Sequence, residues 1–384
     1  MGKEAKSLPV LMHHYVSNYP NSTAVTPAVF EDQCRVLSES GWSGVSLAEA
    51  EAFLLRGESL PPKSFLMTFD DGYLDNYVHA WPILREYGQQ AVIFAVSDRL
   101  DRASAERAET PEPRPTLEDV WAGRCEVADL PPVDEPMRAA ADGYETRQDL
   151  FFTWAEARRM EQSGEISIAA HSLAHNSVFA GPDFKDFYRP GPQPRTFYRT
   201  WPEFLWGLPR FKAVPELANR AFLPLPELVR LAEDTVPQDE VGAYEFFQNP
   251  GLVDQLALAL EKLKARHGRL GLTEPAEHAR RRYAEIMREN HAVLYRELGH
   301  EVRSFCWPWG KFSPEALAAG REAGFAVFFT VAVGPNRPGL AGDAGAALDV
   351  RRFKVRNKDG EWLKSRLGIY ASPRLARFYS MLHN

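Results

Sequence analysis

The chain has 384 residues, 45% of them hydrophobic, enough for one large core or two smaller ones. A formal charge of -7 with both signs interspersed argues against a general nucleic-acid binder, and three cysteines without a Cys-x-x-Cys pair exclude a disulfide scaffold and fit a reducing compartment. The first twelve residues lack the apolar run of a secretory leader and no segment is long enough to cross a bilayer, so the expected address is cytoplasmic, with no membrane span.

Leu8–Met12 reads as a short buried strand, followed directly by His13 and His14. Helical spacing of apolar residues predicts helices over Ala28–Ser40 and over Ser46–Arg56, the second closed by Gly57. Ser64–Phe69 is a predicted strand that runs into Asp70-Asp71-Gly72, with a helix over Tyr73–Tyr87 behind it and a strand over Gln90–Val96 next. Strands and helices alternating at this rhythm imply a parallel sheet with crossovers. The rhythm breaks over residues 101–146, read as an insertion or extended loop. It resumes with an amphipathic helix over Phe152–Met160, capped by Thr153, and a strand over Glu165–Ala170 that ends in His171-Ser-Leu-Ala-His175. Residues 181–273 are a second insertion, expected to be mainly helical, with an aromatic stretch over Phe184–Phe211 and an amphipathic helix over Leu252–Arg266. A long helix over Glu274–Leu298, a strand over Val302–Cys306 ending in Trp307-Pro308-Trp309-Gly310, a helix over Pro314–Ala323, and strands over Phe325–Val331 and Asp349–Val355 complete the reading. The expected organisation is a single domain over 1–384 with two insertions.

Two adjacent carboxylates at the end of an apolar strand are costly to bury unless a cation or a shared proton compensates. An Asp-Asp-Gly turn can be purely structural. The histidine pair changes the weighing, because two histidines four apart can reach one point if the backbone turns there. One carboxylate and two imidazoles make a three-ligand site with an open position, the pattern of a catalytic divalent metal, and the other carboxylate is free to act as a base. Asp70/Asp71, His171/His175, Trp307–Gly310 and His13/His14 all fall just past the C-terminal end of a predicted strand, the edge that carries the active site in parallel α/β barrels. Cys306 reads as a small buried hydrophobe.

The set Thr68-Phe-Asp70-Asp71-Gly72, His171-x-x-x-His175 and Phe305-x-x-Pro308-x-Gly310 resembles the polysaccharide deacetylases, carbohydrate esterase family 4 with its NodB-homology domain. The opening Pro9-Val-Leu-Met-His13-His14 looks like the branch that deacetylates poly-N-acetylglucosamine, and the likeness covers roughly residues 8–100, 147–180 and 275–355. The resemblance implies a distorted (β/α) barrel, α/β in class, with helical and loop insertions. It implies hydrolysis of N-acetyl groups from an N-acetylated amino sugar or polysaccharide, with one divalent metal, zinc first and Fe2+, Co2+ or Ni2+ as alternatives. Carried over by position, Asp71, His171 and His175 match the metal ligands, and Asp70 matches the base that takes a proton from the attacking water. The backbone N–H of Trp309 would be an oxyanion donor, and His14 would give a proton to the departing amine. Position 306, where many members place an arginine that holds the base, is Cys here, and Arg352 is the expected replacement. His13, Trp307 and Pro308 are expected beside the substrate. The rivals are a deacetylase of a small or nucleotide- or lipid-linked substrate on the same scaffold, a non-catalytic sugar-binding protein, and a phosphatase with Asp70 as nucleophile.

Overall fold

Ser64–Asp71 is buried at every one of its eight residues, which only a strand covered on both faces can be. The structure, a computed structural model, describes residues 4–110, 112–134, 150–190, 201, 204–340 and 347–383. Its main sheet has nine strands: β1 (Val10–His13), β2 (Ser43–Gly44), β3 (Ser64–Asp71), β4 (Ala91–Ala95), β5 (Ile166–Ala170), β6 (Ser304–Cys306), β7 (Val327–Phe329), β8 (Ala347–Val350) and β9 (Phe353–Lys354). The order is β8-β7-β6-β5-β4-β3-β1-β9, with β2 beside the start of β3, and every pairing is parallel.

Chain continuity closes this sheet. The strands β8 and β9 lie at opposite ends of the order, yet only Arg351 and Arg352 separate them. A flat sheet would put them about 34 Å apart, seven steps of ~4.8 Å, whereas three residues of chain reach at most about 11 Å. The sheet therefore curls into a barrel. Thr330 N–H donates to Val350 O at 2.9 Å, Arg352 N–H to Ala332 O at 2.9 Å and Val355 N–H to Met12 O at 3.1 Å, so the crossing segment is bonded to both edges. The single strand expected over Asp349–Val355 is thus two strands, divided where the chain steps across the closure.

Local signals hold elsewhere. Thr153 Oγ1 accepts from Glu156 N–H at 3.2 Å, and Gly164 ends that helix in the left-handed region at φ 89°. The long helix spans Ala276–Leu298 and stops at Gly299, φ 78°. Around Pro82 the helix after the acidic turn is irregular, with π-type turns over Asn76–Ala80 before Trp81–Glu86. Two helices, Gly360–Tyr370 and Pro373–His383, occupy a stretch that apolar periodicity leaves unassigned. No helix among the described residues is long and apolar enough to cross a membrane.

The second insertion has a hydrophobic cluster of its own, including Phe179, Phe211, Leu228 and Leu256. Besides three helices, Glu227–Thr235, Glu240–Gln248 and Pro250–His267, it contains an antiparallel hairpin of Ser177–Phe187 with Pro209–Pro215. Aromatic packing explains the hairpin, since Phe179 sits edge-on to Phe211 at 5.2 Å. Part of the aromatic stretch, residues 191–200, 202 and 203, lies outside the described residues, as do residues 111 and 135–146 of the first insertion and residues 147–149 after it.

Candidate active site

Alternation along β3 would send neighbouring carboxylates to opposite faces. It does not do so here, because Asp71 adopts φ 79° and the strand turns at that residue. Among the described residues five non-glycine residues have positive φ: Lys63, Asp71, Ser172, His175 and Trp309. Four of these five line one edge of the barrel. Each such conformation costs roughly 1–2 kcal/mol, and clustered strain of this kind marks functional sites. His171 follows β5 directly and its N–H donates to Ala95 O at 2.9 Å. The segment to His175 is not the helical turn that a four-residue spacing suggests. Left-handed residues at Ser172 and His175 fold it back instead, bringing the two imidazole centroids to 4.8 Å.

Asp71 Oδ1 lies 3.7 Å from His175 Nε2 and 3.9 Å from His171 Nε2. A tetrahedral ion with ligand bonds near 2.1 Å sets its ligands about 3.4 Å apart. Ligand atoms of all three residues lie within 4.8 Å of one another, close enough for a shift of the side chains to bring them to one cation. Asp71 Oδ1 is also buried without a hydrogen-bond partner, which is costly for a carboxylate unless a cation takes that position. His171 Nδ1 donates to the Cys306 carbonyl at 2.9 Å, so its Nε2 lone pair faces the site. Burial lowers the pKa of both rings, His175 well below the ordinary value, and keeps them neutral. Burial pushes the Asp71 carboxyl up, but the charges around it, that of Arg99 among them, bring it below the usual range, so it is ionised. The residues present fit a divalent cation.

Asp70 has a different partner. Arg352, with no exposed side-chain surface, clamps it in a bidentate pair, Nη1 to Oδ1 at 2.6 Å and Nη2 to Oδ2 at 2.9 Å. The guanidinium also donates to Thr68 Oγ1 at 3.1 Å and, through Nε, to Thr330 O at 3.0 Å, with Cys306 Sγ 3.0 Å away. Burial raises the Asp70 pKa, yet the charge of Arg352 outweighs it and leaves the carboxylate ionised. His14 Nε2 is 4.0 Å from Asp70 Oδ2, and its side chain is 24% exposed.

The sequence that builds this site has counterparts in known proteins. Residues 57–192, which hold both aspartates and both histidines, match the polysaccharide deacetylase family. Over that stretch the chain is similar to the polysaccharide deacetylases. The deacetylase-type protein YxkH of Bacillus subtilis is 40% identical over 94 residues, 24% of this chain and 33% of that protein. The poly-beta-1,6-N-acetyl-D-glucosamine N-deacetylase of Escherichia coli K12 is 24% identical over 149 residues, 39% of this chain and 18% of that protein. The matched segments thus span a third or less of either relative. Among solved structures, a de-N-acetylase from Aggregatibacter actinomycetemcomitans has a TM-score of 0.56 at 18% identity, over 94% of this chain and 99% of that one. The BpsB deacetylase domain of Bordetella bronchiseptica has a TM-score of 0.54 at 19% identity, over 93% of this chain and 100% of that one. At these identities the likeness is one of fold, and it agrees with the (β/α) barrel.

Three expected site residues lie elsewhere. His13 is 2% exposed, stacked on Phe69 at 5.0 Å and edge-on to Phe30 at 5.5 Å. It pairs in register with Phe69, so it shares the face of Phe69 while His14 follows on the face of Asp70. Burial, then the neighbouring His14, pushes its pKa down to about 3, and neither ring nitrogen has a hydrogen-bond partner. It is a core residue, not a substrate contact. Trp307 is fully buried, stacked on Phe312 at 4.8 Å and Phe328 at 5.4 Å, and Pro308 is buried beside it. The turn inverts at Trp309, φ 51°, which leaves that ring 40% exposed with its centroid 4.2 Å from the His175 ring. Gly310 is required next, at φ 65°, because a Cβ there would meet Val331 at 2.5 Å.

The site also holds residues that motif reading misses. Arg99 Nη1 is 3.6 Å from Asp71 Oδ1 and its guanidinium lies over Phe151 at 5.0 Å. Val16 N–H donates to Asp75 Oδ2 at 2.9 Å and Asn76 Nδ2 donates to His14 O at 2.9 Å, pinning the backbone around His14. The available signal was position: each sits in the first helical turn behind a strand that ends at the active edge.

Proposed function

We propose that this chain is a metal-dependent hydrolase that removes N-acetyl groups from the amino sugars of a polysaccharide. One observation carries the reading. Two adjacent carboxylates at one edge have different partners, Asp71 facing two neutral imidazoles and Asp70 clamped by an arginine. Asp71, His171 and His175 would hold the cation, with zinc the best match to a set of two imidazoles and one carboxylate. A cation bound there supplies Lewis acidity toward the acetyl carbonyl and makes water a better nucleophile at neutral pH. Asp70, kept ionised and oriented by Arg352, accepts the proton of the attacking water. His14, within 4.0 Å of Asp70 and open to solvent, gives a proton to the departing amine. The Trp309 N–H adds a donor for the developing oxyanion, and its exposed ring offers a flat face to a sugar.

A polymeric substrate is favoured by the insertion. A cavity of about 430 Å³ runs between Val214, Ala218 and Asn219 of the insertion and Gly310, Lys311 and Phe312 behind the Trp309 turn. The name of the Escherichia coli relative makes β-1,6-linked N-acetylglucosamine oligomers the first substrate to try. The test is acetate release from such oligomers, from β-1,4-linked oligomers and from monomeric and nucleotide-linked N-acetyl sugars, with and without chelator. Release from an oligomer that chelator abolishes and zinc restores supports the reading. Release only from small substrates moves it to the small-molecule alternative. Binding of oligomers without any release, unchanged in Asp70→Asn, would leave a sugar-binding protein.

A further inference from the structure

The helix Pro373–His383 has its large apolar residues on the outside. Its docked face is small, with Ala376 and Ser380 buried. Leu375, Phe378, Met381 and Leu382 are 53%, 61%, 68% and 64% exposed. At about 100° per residue these four fall in an arc of about 120°, centred opposite Ala376 and Ser380, with Arg374 inside the arc and Arg377 just beyond its edge. No other helix of the described residues exposes four large hydrophobic side chains. A water-facing helix buries that stripe and exposes its polar face, and this one is reversed.

Charge gives the second observation. From Trp362 to Asn384 there is no acidic residue, while Arg366, Arg374 and Arg377 are basic, in a chain whose net charge is -7; Lys364 is also basic but pairs with Glu361 at 2.5 Å. Arg374 and Arg377 are exposed on the same helix. The helix begins at Pro373, on the rim of a cavity of about 790 Å³ lined also by Lys6, Lys63 and Lys364, by Glu4, and by Ser7 and Ser64. Ser7 precedes β1 and Ser64 opens β3, so this is the end of the barrel opposite the aspartates, about 23 Å away along the seven steps of β3.

We infer that this helix seats the protein on an anionic lipid surface, its four apolar side chains entering the interface and Arg374 and Arg377 meeting lipid phosphates. A cationic helix with one wide apolar face is the form that lies in the plane of a bilayer surface. A second copy fits less well, because a symmetric pairing of these faces sets Arg374 and Arg377 against their own equivalents. Seated this way, the active edge faces away from the bilayer, toward a polymer in the aqueous phase.

The experiment is co-sedimentation of the full chain with vesicles of phosphatidylcholine alone and of phosphatidylcholine mixed with phosphatidylglycerol. Wild type is expected to pellet with the anionic vesicles and to be released by salt. Each basic residue near an anionic surface is worth about fivefold in partitioning, so Arg374→Gln/Arg377→Gln should bind about 25-fold more weakly. Phe378→Ser/Leu382→Ser should lose at least about tenfold. All four positions are exposed, and far-UV circular dichroism and gel filtration check that each variant keeps the wild-type fold. The salt dependence of the wild type gives an independent reading should a variant not fold. The inference is overturned if wild type stays in the supernatant with anionic vesicles, if it pellets equally with neutral ones, or if both variants bind like wild type. A wild-type dimer that Phe378→Ser/Leu382→Ser dissociates, without lipid binding, overturns it in favour of a second copy.

Discussion

Arg352→Met tests the organisation of the site most directly. Methionine keeps much of the stem volume and removes the charge, leaving Asp70 buried beside Thr68 and Cys306 with no cationic partner. Breaking a buried ion pair from one side costs about 3–5 kcal/mol. At roughly 2–4 °C per kcal/mol the melting temperature should fall by at least about 6 °C at neutral pH. The pH dependence carries the sharper test. In the wild type the folded Asp70 carboxyl lies below its unfolded value, so its contribution is present above about pH 4 and is lost as pH falls below that. Without Arg352 the upward push of burial is the largest remaining influence, so the folded value rises above the unfolded one and the variant regains stability as pH falls from 7 toward 4. The gap between variant and wild type should therefore narrow on acidification, which thermal melts between pH 7 and pH 5 would show. In parallel, kcat for deacetylation at neutral pH should drop by about 10²–10⁴-fold, the usual size of a general-base contribution. Arg352→Lys should recover only part of either effect, because an ammonium cannot reproduce the two-pronged contact. A variant that melts like wild type at pH 7, with an unchanged gap at pH 5, would refute the reasoning.

Other expectations follow from the same geometry. Elemental analysis should find about one equivalent of divalent metal in the wild type and none in Asp71→Ala or His171→Ala; at a metal concentration near 100 times Kd, only the wild type should gain about 2.7 kcal/mol of stability. His14→Ala should lower kcat by about 10²-fold or more with little change in melting temperature, since that side chain is partly exposed and the role assigned to it is chemical. His13→Leu should do the reverse, retaining activity while holding or raising stability, because two unsatisfied ring nitrogens leave the core. The folded pKa of His13, about 3, lies below the unfolded value near 6.5, so the unfolded chain takes up the proton first. The wild type should accordingly lose about 1.4 kcal/mol per pH unit through this residue as pH falls below 6.5, and urea melts of His13→Leu should lack that slope. Trp307→Ala should cost about 3–5 kcal/mol as a core cavity, whereas Trp309→Ala should cost under about 1 kcal/mol and act on KM for oligomers, a contrast that melts and steady-state kinetics separate.

Local chemistry made much of this protein legible in its sequence. Apolar runs, the Thr153 cap and the Gly57, Gly164 and Gly299 stops gave the alternation of strands and helices, because those signals act within a few residues of chain. The same alternation put Asp70, Asp71, His171, His175 and Trp309 just past strand ends, and those residues do meet at one edge of the barrel. The faces were not legible. In β3 all eight residues are buried, since one face packs into the barrel and the other under helices, so hydrophobicity carries no period that tells inside from outside. That is why His13 could not be told from His14, nor Trp307 from Trp309, until register and backbone inversion decided. The split between Val350 and Phe353 was also invisible, because nothing local marks the point where a closing sheet changes edge. Arg352 meets Asp70 across 282 positions of sequence. Only closure of the barrel brings those two charges together, and their pairing is what lets Asp70 stay ionised while its neighbour Asp71 faces His171 and His175.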